Sequence, residues 1–238
     1  MTDSQLTNIA SAALLLMAGL AIGLVRRRSF SLRWLLVAVA LVLLNNLLLS
    51  RGYGLLPKVP GGHWNWAGKA LALAGTLAVA ALPAFGWRRV GITVEQKVAS
   101  LRAAVPVALL YCAFFAALAL VFPSDPPTGE DIAFQLSMPG LEEEPFYRGI
   151  LLFALDRAFM GRMGFLGVEW GWGAVLSCFA FGLAHAFGFS DGAFSFDPLT
   201  MALTAVPSFI AVWLRYRTGS LLLPIVLHNF GNAIGMIV

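Results

Sequence analysis

Apolar residues run through this chain in long stretches, and polar residues are concentrated in the short segments between them. A stretch of roughly 17–25 apolar residues has the length that spans a bilayer as an α-helix. About eight such stretches can be counted, at 6–25, 33–50, 67–87, 98–122, 140–160, 169–189, 198–215 and 219–238. The pattern predicts an all-α protein, a polytopic membrane helix bundle of about eight transmembrane helices.

The predicted bundle is a single integral membrane domain over residues 1–238. A Pro-, Gly- and acid-rich loop at 123–131 divides it. We interpret residues 1–120 as scaffold helices and residues 130–238 as the core that carries the unusual polar groups. The first run follows Asp3 and precedes the basic residues of "RRRS", so we expect a retained membrane helix there and not a signal peptide.

Composition supports a multi-pass protein whose main partner is the lipid bilayer. Of the 238 residues, 59% are hydrophobic and only 12% are charged, against about 25% charged in an average globular protein. A soluble domain could not bury so much apolar surface. The net charge of +4 is therefore interpreted as a signal of membrane topology, and no nucleic-acid partner is expected.

Basic residues gather around alternate gaps between the predicted helices. They are Arg26, Arg27, Arg28, Arg33, Arg88, Arg89, Lys97, Arg102, Arg157, Arg162, Arg215 and Arg217. The other gaps hold only Arg51, Lys58 and Lys69. Since basic loops stay in the cytoplasm, this pattern predicts eight helices with both termini outside.

The densest negative charge lies in "LEEEPFYRG", residues 141–149. We expect a helix that begins near Pro145, with the carboxylates at its positive end. Glu144 and Arg148 are four residues apart and should form an ion pair on one helix face. Glu142 is then expected to be solvated at the mouth of the site. Glu143 would remain unpaired and able to act as a general base.

Two of the three histidines also fall in apolar runs. His185 follows Phe181 by one helical turn, and His228 precedes Asn232 by one turn, so each pair shares a helix face. A single histidine of this kind is usually a packing residue. Several ionisable groups in membrane helices indicate a shared polar cavity, and helix lengths place these groups in the same, outer half of the bilayer. His63, in a loop, is expected to be incidental.

Two further polar residues, Asn45 and Asn46, interrupt the second apolar run. Amide side chains in membrane helices commonly hydrogen-bond to a neighbouring helix. We therefore expect these two residues to serve helix packing.

In this order the three motifs resemble the CPBP family, the CAAX proteases and bacteriocin-processing (Abi) proteins that include type II CAAX prenyl endopeptidases. The family pattern is EExxxR, then FxxxH, then HxxxN, on separate membrane helices. In this chain the motifs are Glu143-Glu144-x-x-x-Arg148, Phe181-x-x-x-His185 and His228-x-x-x-Asn232. The ordered set is specific, although each motif alone is weak.

The resemblance implies a glutamate-dependent intramembrane endopeptidase without a cofactor. Glu143, helped by His185, would activate water, while His228 and Asn232 would donate hydrogen bonds to the oxyanion. The resemblance also implies that Glu144 and Arg148 hold the motif helix in place. The substrate class would be a CAAX-type, prenylated or other membrane-associated peptide or protein. CAAX processing is cytosolic, however, whereas the basic loops place this site nearer the outer side.

Three other functions remain open at this point. Glu143, His185 and His228 could bind zinc and form a metalloprotease, although no HExxH motif is present. The chain could instead be a non-enzymatic immunity or scaffold protein of the same family. Intramembrane Glu and His residues also occur in transporters and proton relays, but the two halves show no repeat of the kind common in transporters.

Overall fold

The structure is a computed structural model that describes residues 2–55, 62–122 and 126–238. Lys58 and residues 123–125 of the predicted polar loop lie outside these ranges. The predicted all-α fold is confirmed, since helices dominate the described residues. The α-helices are α1 (Asp3–Val25), α2 (Leu32–Leu55), α3 (Trp66–Ala81), α4 (Val98–Val121), α5 (Gly129–Gln135), α6 (Met138–Glu144), α7 (Leu152–Ala158), α8 (Trp172–Ala186), α9 (Pro198–Thr218) and α10 (Leu222–Ala233).

The predicted apolar runs all fall on helical segments, but not all of these segments have spanning length. By length and composition, four helices within the described ranges could cross a membrane: α1, Leu32–Ser50 of α2, α4 and α9. Helices α3, α8 and the end of the chain, Leu222–Met236, are shorter apolar helices. The expected number of about eight membrane helices is therefore confirmed in part.

Two β-hairpins were not predicted. Strands β1 (Met163–Phe165) and β2 (Val168–Trp170) pair antiparallel, as do β3 (Phe187–Ser190) and β4 (Ala193–Phe196). The second hairpin lies where the predicted helices at 169–189 and 198–215 are joined. Its turn residues are Asp191 and Gly192, with φ of 52° and 79°. Asp-Gly in this conformation is a preferred two-residue hairpin turn.

The acidic cluster lies in the middle of a continuous helical segment and not at the start of a helix. Helix α6 continues through a π-helical turn, Pro145–Leu151, into α7. Pro145 has no N–H to donate to the carbonyl of Leu141, so the α-helical hydrogen-bond ladder cannot continue unchanged there. The ladder widens into a π turn, a feature that is frequent at functional sites. The expectation that the glutamates occupy a positive helix end was therefore wrong.

This central segment forms the core of the bundle. Residues 145–151 are all buried. Phe146 and Ile150 belong to a hydrophobic cluster that also includes Leu15 of α1 and Leu35 of α2. On the other side, Ser177 Oγ of α8 donates a hydrogen bond to the carbonyl of Tyr147 at 2.7 Å. The helix that carries the glutamates is thus fixed on both sides by helices from distant parts of the sequence.

The predicted basic loops meet at one end of the bundle. Ser31, after the first basic loop, donates its N–H to the carbonyl of Ala158 at the end of α7, at 2.8 Å. Arg215, near the end of α9, donates to the carbonyl of Arg89 at 2.7 Å. The hairpin that follows α7 also packs against α9. The arginines that were used to predict topology therefore lie together.

Both ends of the described chain lie at the opposite end of the bundle. Thr7 of α1 accepts a hydrogen bond at 2.8 Å from the N–H of Phe189, just beyond α8. Asn232 of α10 donates to Gln135 of α5 at 3.1 Å. The start of α1, the end of α8 and the end of α10 are thus on one side, away from the basic loops.

Candidate active site

A buried triad joins the central helical segment to α10. Arg148 Nη1 lies 3.1 Å from Glu144 Oε1, as expected for residues one turn apart. His228 Nδ1 lies 2.7 Å from the same oxygen. The exposed fractions of the Glu144 and Arg148 side chains are only 1% and 2%. The Arg148 guanidinium also lies 4.0 Å from the ring centroid of Phe181, in cation–π contact.

Lys69 is a member of the site that sequence reasoning missed. Its Nζ donates hydrogen bonds to Glu142 Oε2 at 2.7 Å and to Glu143 Oε1. Glu142 is fully buried, so the expectation of a solvated carboxylate at the mouth was wrong. Glu143 has a cationic partner, so it is not the unpaired group that we expected. A signal was present, since Lys69 interrupts an apolar run, where an ionisable residue indicates function.

The second oxygen of Glu143 faces both predicted histidines. Glu143 Oε2 lies 3.6 Å from His228 Nε2 and 3.9 Å from His185 Nε2. It has no hydrogen-bond partner among the described residues. Neither distance is that of a direct hydrogen bond, so Glu143 Oε2 is close to both imidazoles without being bonded to either.

The contacts of Nδ1 in each of the two histidines indicate which ring nitrogen carries the proton. His185 Nδ1 lies 2.9 Å from the carbonyl of Phe181, which can only accept, so Nδ1 carries the proton. In neutral His185, Nε2 is then a proton acceptor directed towards Glu143. His228 Nδ1 likewise donates to the Glu144 carboxylate. His228 Nε2 can therefore donate only when the imidazole holds a second proton.

These groups lie on the wall of a cavity of about 580 Å³, a volume typical of ligand sites. All six predicted site residues line it: Glu143, Glu144, Arg148, His185, His228 and Asn232. Much of the remaining wall is apolar, with side chains from α4 and α9 that include Tyr111, Phe115, Leu203, Ile210 and Leu214. The cavity therefore combines a charged wall with an apolar one.

A second asparagine, next to His228, positions α10 against α6. Asn229 Oδ1 accepts a hydrogen bond from the N–H of Gly140 at 2.7 Å, and its Nδ2 donates to the carbonyl of Ser137 at 3.1 Å. A Cβ at Gly140 would lie 2.6 Å from Asn229 Oδ1. Glycine is therefore required at this helix contact. Sequence reasoning missed this pair because it depends on the docking of two distant helices.

Aromatic and acidic residues close one rim of the cavity. Trp64 Nε1 donates to Asp131 Oδ1 at 2.7 Å, and His63 Nε2 lies 2.9 Å from the same oxygen. Hydrogen bonds from Thr128, and then from Trp64, hold the pKa of Asp131 below its usual range. His63, expected to be incidental, thus helps to join α5 to the segment before α3.

The chemistry around Glu143 disfavours a bound divalent cation. The Lys69 ammonium already lies against the Glu143 carboxylate and would repel a second positive charge at short range. Among the residues that the structure describes, no group of three His, Cys, Asp or Glu side chains has the arrangement of a metal site.

Comparison with known proteins gives one match. Residues 130–234 match the family described as type II CAAX prenyl endopeptidase Rce1-like. No curated protein and no solved structure is significantly similar to the chain. The matched residues make up somewhat less than half of the sequence and include all three motifs. The matched family is one of CAAX-type endopeptidases, and the described residues also hold four helices long and apolar enough to cross a membrane. The family predicted from the motifs is therefore confirmed over residues 130–234.

Proposed function

We propose that this protein is a glutamate-dependent intramembrane endopeptidase that hydrolyses a peptide bond with Glu143 as general base. The observation that carries the proposal is the position of Glu143 Oε2, which faces Nε2 of His185 and of His228 from separate helices on a cavity wall. Three groups that can exchange or share a proton thus come together, since both imidazole nitrogens lie within 4 Å of Glu143 Oε2.

In the proposed reaction, Glu143 and His185 act on the water. Both Glu143 Oε2 and neutral His185 Nε2 are acceptors, so one water molecule can donate a hydrogen bond to each. As the water oxygen bonds to the peptide carbonyl carbon, its proton moves to Glu143. The C–N bond then breaks, and the leaving nitrogen takes up that proton.

His228 and Asn232 are the proposed donors to the oxyanion. His228 Nε2 is a donor when the ring is doubly protonated, and it lies 3.6 Å from Glu143 Oε2 while Nδ1 lies 2.7 Å from Glu144 Oε1. Asn232 uses one amide hydrogen for Gln135 and retains a second. Removal of one such donor typically lowers turnover by about 10²–10³.

Glu144 and Arg148 are proposed to position the other groups and not to react. The shared oxygen of Glu144 orients His228, and the Arg148 guanidinium neutralises Glu144 while it packs on Phe181. An imidazole that is already held in the reactive geometry loses little conformational entropy when the reaction takes place. Supporting contacts contribute to catalysis in this way.

The proposed substrate is a CAAX-type, prenylated or other membrane-associated peptide. The apolar wall formed by α4 and α9 suits an apolar chain or lipid group, while the opposite wall carries the reacting residues. We further propose that the protein crosses the bilayer eight times, with the shorter helices packed inside the bundle. The eight segments are α1, α2, α3, α4, the continuous segment from α6 to α7, α8, α9 and α10.

The decisive experiment compares the wild-type protein with Glu143→Gln in liposomes that contain membrane-anchored peptides. Mass spectrometry of the products should show cleavage by the wild type alone, and cleavage should survive a strong zinc chelator. Equal product patterns for the two proteins would remove the enzymatic function. Loss of cleavage with chelator, restored by zinc, would favour the metalloprotease instead.

A further inference from the structure

One face of α1 is polar, although α1 is otherwise an apolar membrane helix. Its polar residues recur at intervals of three and four, so they share one face. They are Ser4, Thr7, Asn8 and Ser11. In lipid, such groups are stable only if they face protein or a water-filled cavity.

This face borders a second cavity, of about 360 Å³, which shares Glu143 with the first. The second cavity is otherwise lined mainly from α1, α2 and α8, whereas the first is lined mainly from α4, α9 and α10. Helix α2 contributes its own polar residues, Asn45, Asn46 and Ser50, to the same cavity. The exposed residues Ser4 and Ser50 mark its outer end. Polar side chains therefore line it from a bundle end inward over about 10 Å of helix α1.

The inner end of this cavity is formed by the catalytic groups themselves. Lys69, Glu142, Glu143 and His185 line it, and all of them except Glu142 also line the first cavity. These side chains thus form a thin wall that separates two compartments. One compartment has a large apolar surface, and the other is lined mostly by hydroxyl and amide groups near its outer end.

Buried polar atoms on this cavity lack partners. Asn45 is 3% exposed and lies beside the Glu142 carboxylate, yet neither Nδ2 nor Oδ1 makes a hydrogen bond of acceptable geometry within the described residues. Glu142 Oε1 is also unsatisfied there. Buried groups of this kind are normally satisfied by ordered water when the space is polar and large enough. The contact of Asn45 with Glu142 links α2 to α6, in keeping with the inter-helix role expected for Asn45.

We propose that the second cavity is a water channel that supplies Glu143 from the side of α1 and α2, separate from the chamber that holds the peptide. This inference rests on the proposed hydrolytic function. A peptide that fills the apolar chamber displaces water from it, so hydrolysis needs water from another direction. The polar cavity reaches Glu143 and His185 without crossing that chamber.

One water molecule from the channel supplies all the atoms that hydrolysis adds to the peptide. Water enters past Ser4 and Ser11 and reaches the Glu143 carboxylate at the inner end. Its oxygen becomes part of the new carboxylate, and its two protons pass through Glu143 and His185 to the leaving amine and to solvent. No other reactant is required.

Cysteine labelling tests the channel without any need for enzyme activity. In a variant whose own cysteines, Cys112 and Cys178, are replaced by alanine, Ser11→Cys is compared with Ala13→Cys. Position 11 faces the cavity, whereas Ala13 is exposed on another face of the same helix at similar depth. With a small charged methanethiosulfonate in liposomes, position 11 should react at least about tenfold faster, since only the hydrated thiol can form a thiolate. Equal rates would overturn the channel, whether or not the protein cleaves peptides.

Filling the channel tests its use in hydrolysis. Ser11→Phe should lower kcat about tenfold and leave KM within about twofold, because the peptide binds on the other side of Glu143. Ala13→Phe should change neither constant. A wild type that cleaves peptides together with a Ser11→Phe variant of unchanged kcat would overturn the proposal. A wild type without cleavage would instead remove the proposed function, and the labelling result would still stand.

Discussion

Lys69 Nζ lies 2.7 Å from Glu142 Oε2, in an ion pair whose carboxylate is completely sealed from solvent. The pair joins α3 to α6 across 73 residues of sequence. Two charges removed from water are stable only when each satisfies the other. The pair therefore fixes the depth at which the neighbouring Glu143 enters the cavity.

Replacement of Lys69 by Met should destabilise the protein strongly. It leaves the charges of Glu142 and Glu143 buried without a cation, which typically costs about 3–5 kcal/mol. Denaturation in detergent micelles measures the free energy of unfolding. The matched control is Arg88→Met, because Arg88 forms an ion pair with Glu95 that is exposed on both sides and should contribute about 0–1 kcal/mol. Equal losses in the two variants would show that the buried pair is not structural.

Loss of the proposed base should abolish turnover and leave the fold intact. Glu143→Gln and His185→Ala should each lower kcat by about 10²–10⁴-fold, the usual contribution of a general base. Thermal unfolding of both variants should remain close to that of the wild type. His63→Ala serves as control, since His63 lies on the rim and not at Glu143. Wild-type turnover in the first two variants would refute the assigned roles.

Arg148→Ala should lower both stability and activity. The guanidinium is 2% exposed and is held by Glu144 and Phe181. Its removal leaves the buried Glu144 without its guanidinium partner, at a cost of about 3–5 kcal/mol. Arg157→Ala is the control, because Arg157 is exposed and its guanidinium lies over the rings of Trp34 and Phe153, with an expected loss of about 0.5–1 kcal/mol. If Arg148→Ala unfolds like the wild type, Glu144 must be neutralised in another way.

The spacing of motif residues predicted the parts of the site that local geometry determines. Glu144 and Arg148 are one helical turn apart and do form a pair. The histidines could be placed near Glu143 because helix lengths limit their depth in a bilayer. Apolar runs likewise predicted the helices, since a membrane leaves few other ways to satisfy the backbone.

The contacts that the sequence did not reveal depend on which helices become neighbours. Lys69 lies near the start of the third apolar run and was counted with the charges of a gap. Only the packing of α3 against α6 brings it to the glutamates. The same packing buries Glu142. The π turn could have been suspected from Pro145, but its position depended on where the helix begins. The periodicity of apolar residues predicts which face of a helix is buried, but it does not predict which helix packs against that face.

Gly140→Ala should disturb the contact between α6 and α10. The new methyl group would meet Asn229 Oδ1 and the carbonyl of Ile225, each at 2.6 Å. The helices must then separate, so we expect a loss of about 1–3 kcal/mol from overpacking together with lower kcat. Gly129→Ala provides the control, because nothing lies within 4 Å of a Cβ there. That variant should be neutral or slightly more stable, since alanine restricts the unfolded chain.

If Gly140→Ala and Gly129→Ala have the same unfolding free energy, the approach of α6 and α10 is not tight. A lower kcat in Gly140→Ala with unchanged stability would show that Asn229 contributes to turnover by positioning α10, and not by stabilising the fold. Either result can be separated from a direct catalytic effect, because Gly140 carries no reacting group.

The position of the basic loops predicts which side of the membrane the site faces. Arginines after α1, α3, α7 and α9 meet at one end of the bundle, and the glutamates lie towards the other. Lys69 should be left out of the count of basic loop residues, because its ammonium group is paired with Glu142 and Glu143. The difference in the number of basic residues between the two ends of the bundle, which determines orientation, is thus larger than the sequence suggested. The chain should therefore insert with its N-terminus and its site on the outer side.

Reporter fusions in a bacterial host measure this orientation directly. Alkaline phosphatase joined to the C-terminus, which is predicted to lie on the same side as the N-terminus, should be active, since that enzyme folds only outside the cytoplasm. A fluorescent protein inserted at Arg27–Ser29, in the first basic loop, should fold in the cytoplasm and fluoresce. The reverse pattern would place the cavity on the cytosolic side, where prenylated proteins are processed. It would then favour a cytosolic CAAX substrate, whereas the expected pattern requires a substrate presented at the outer face.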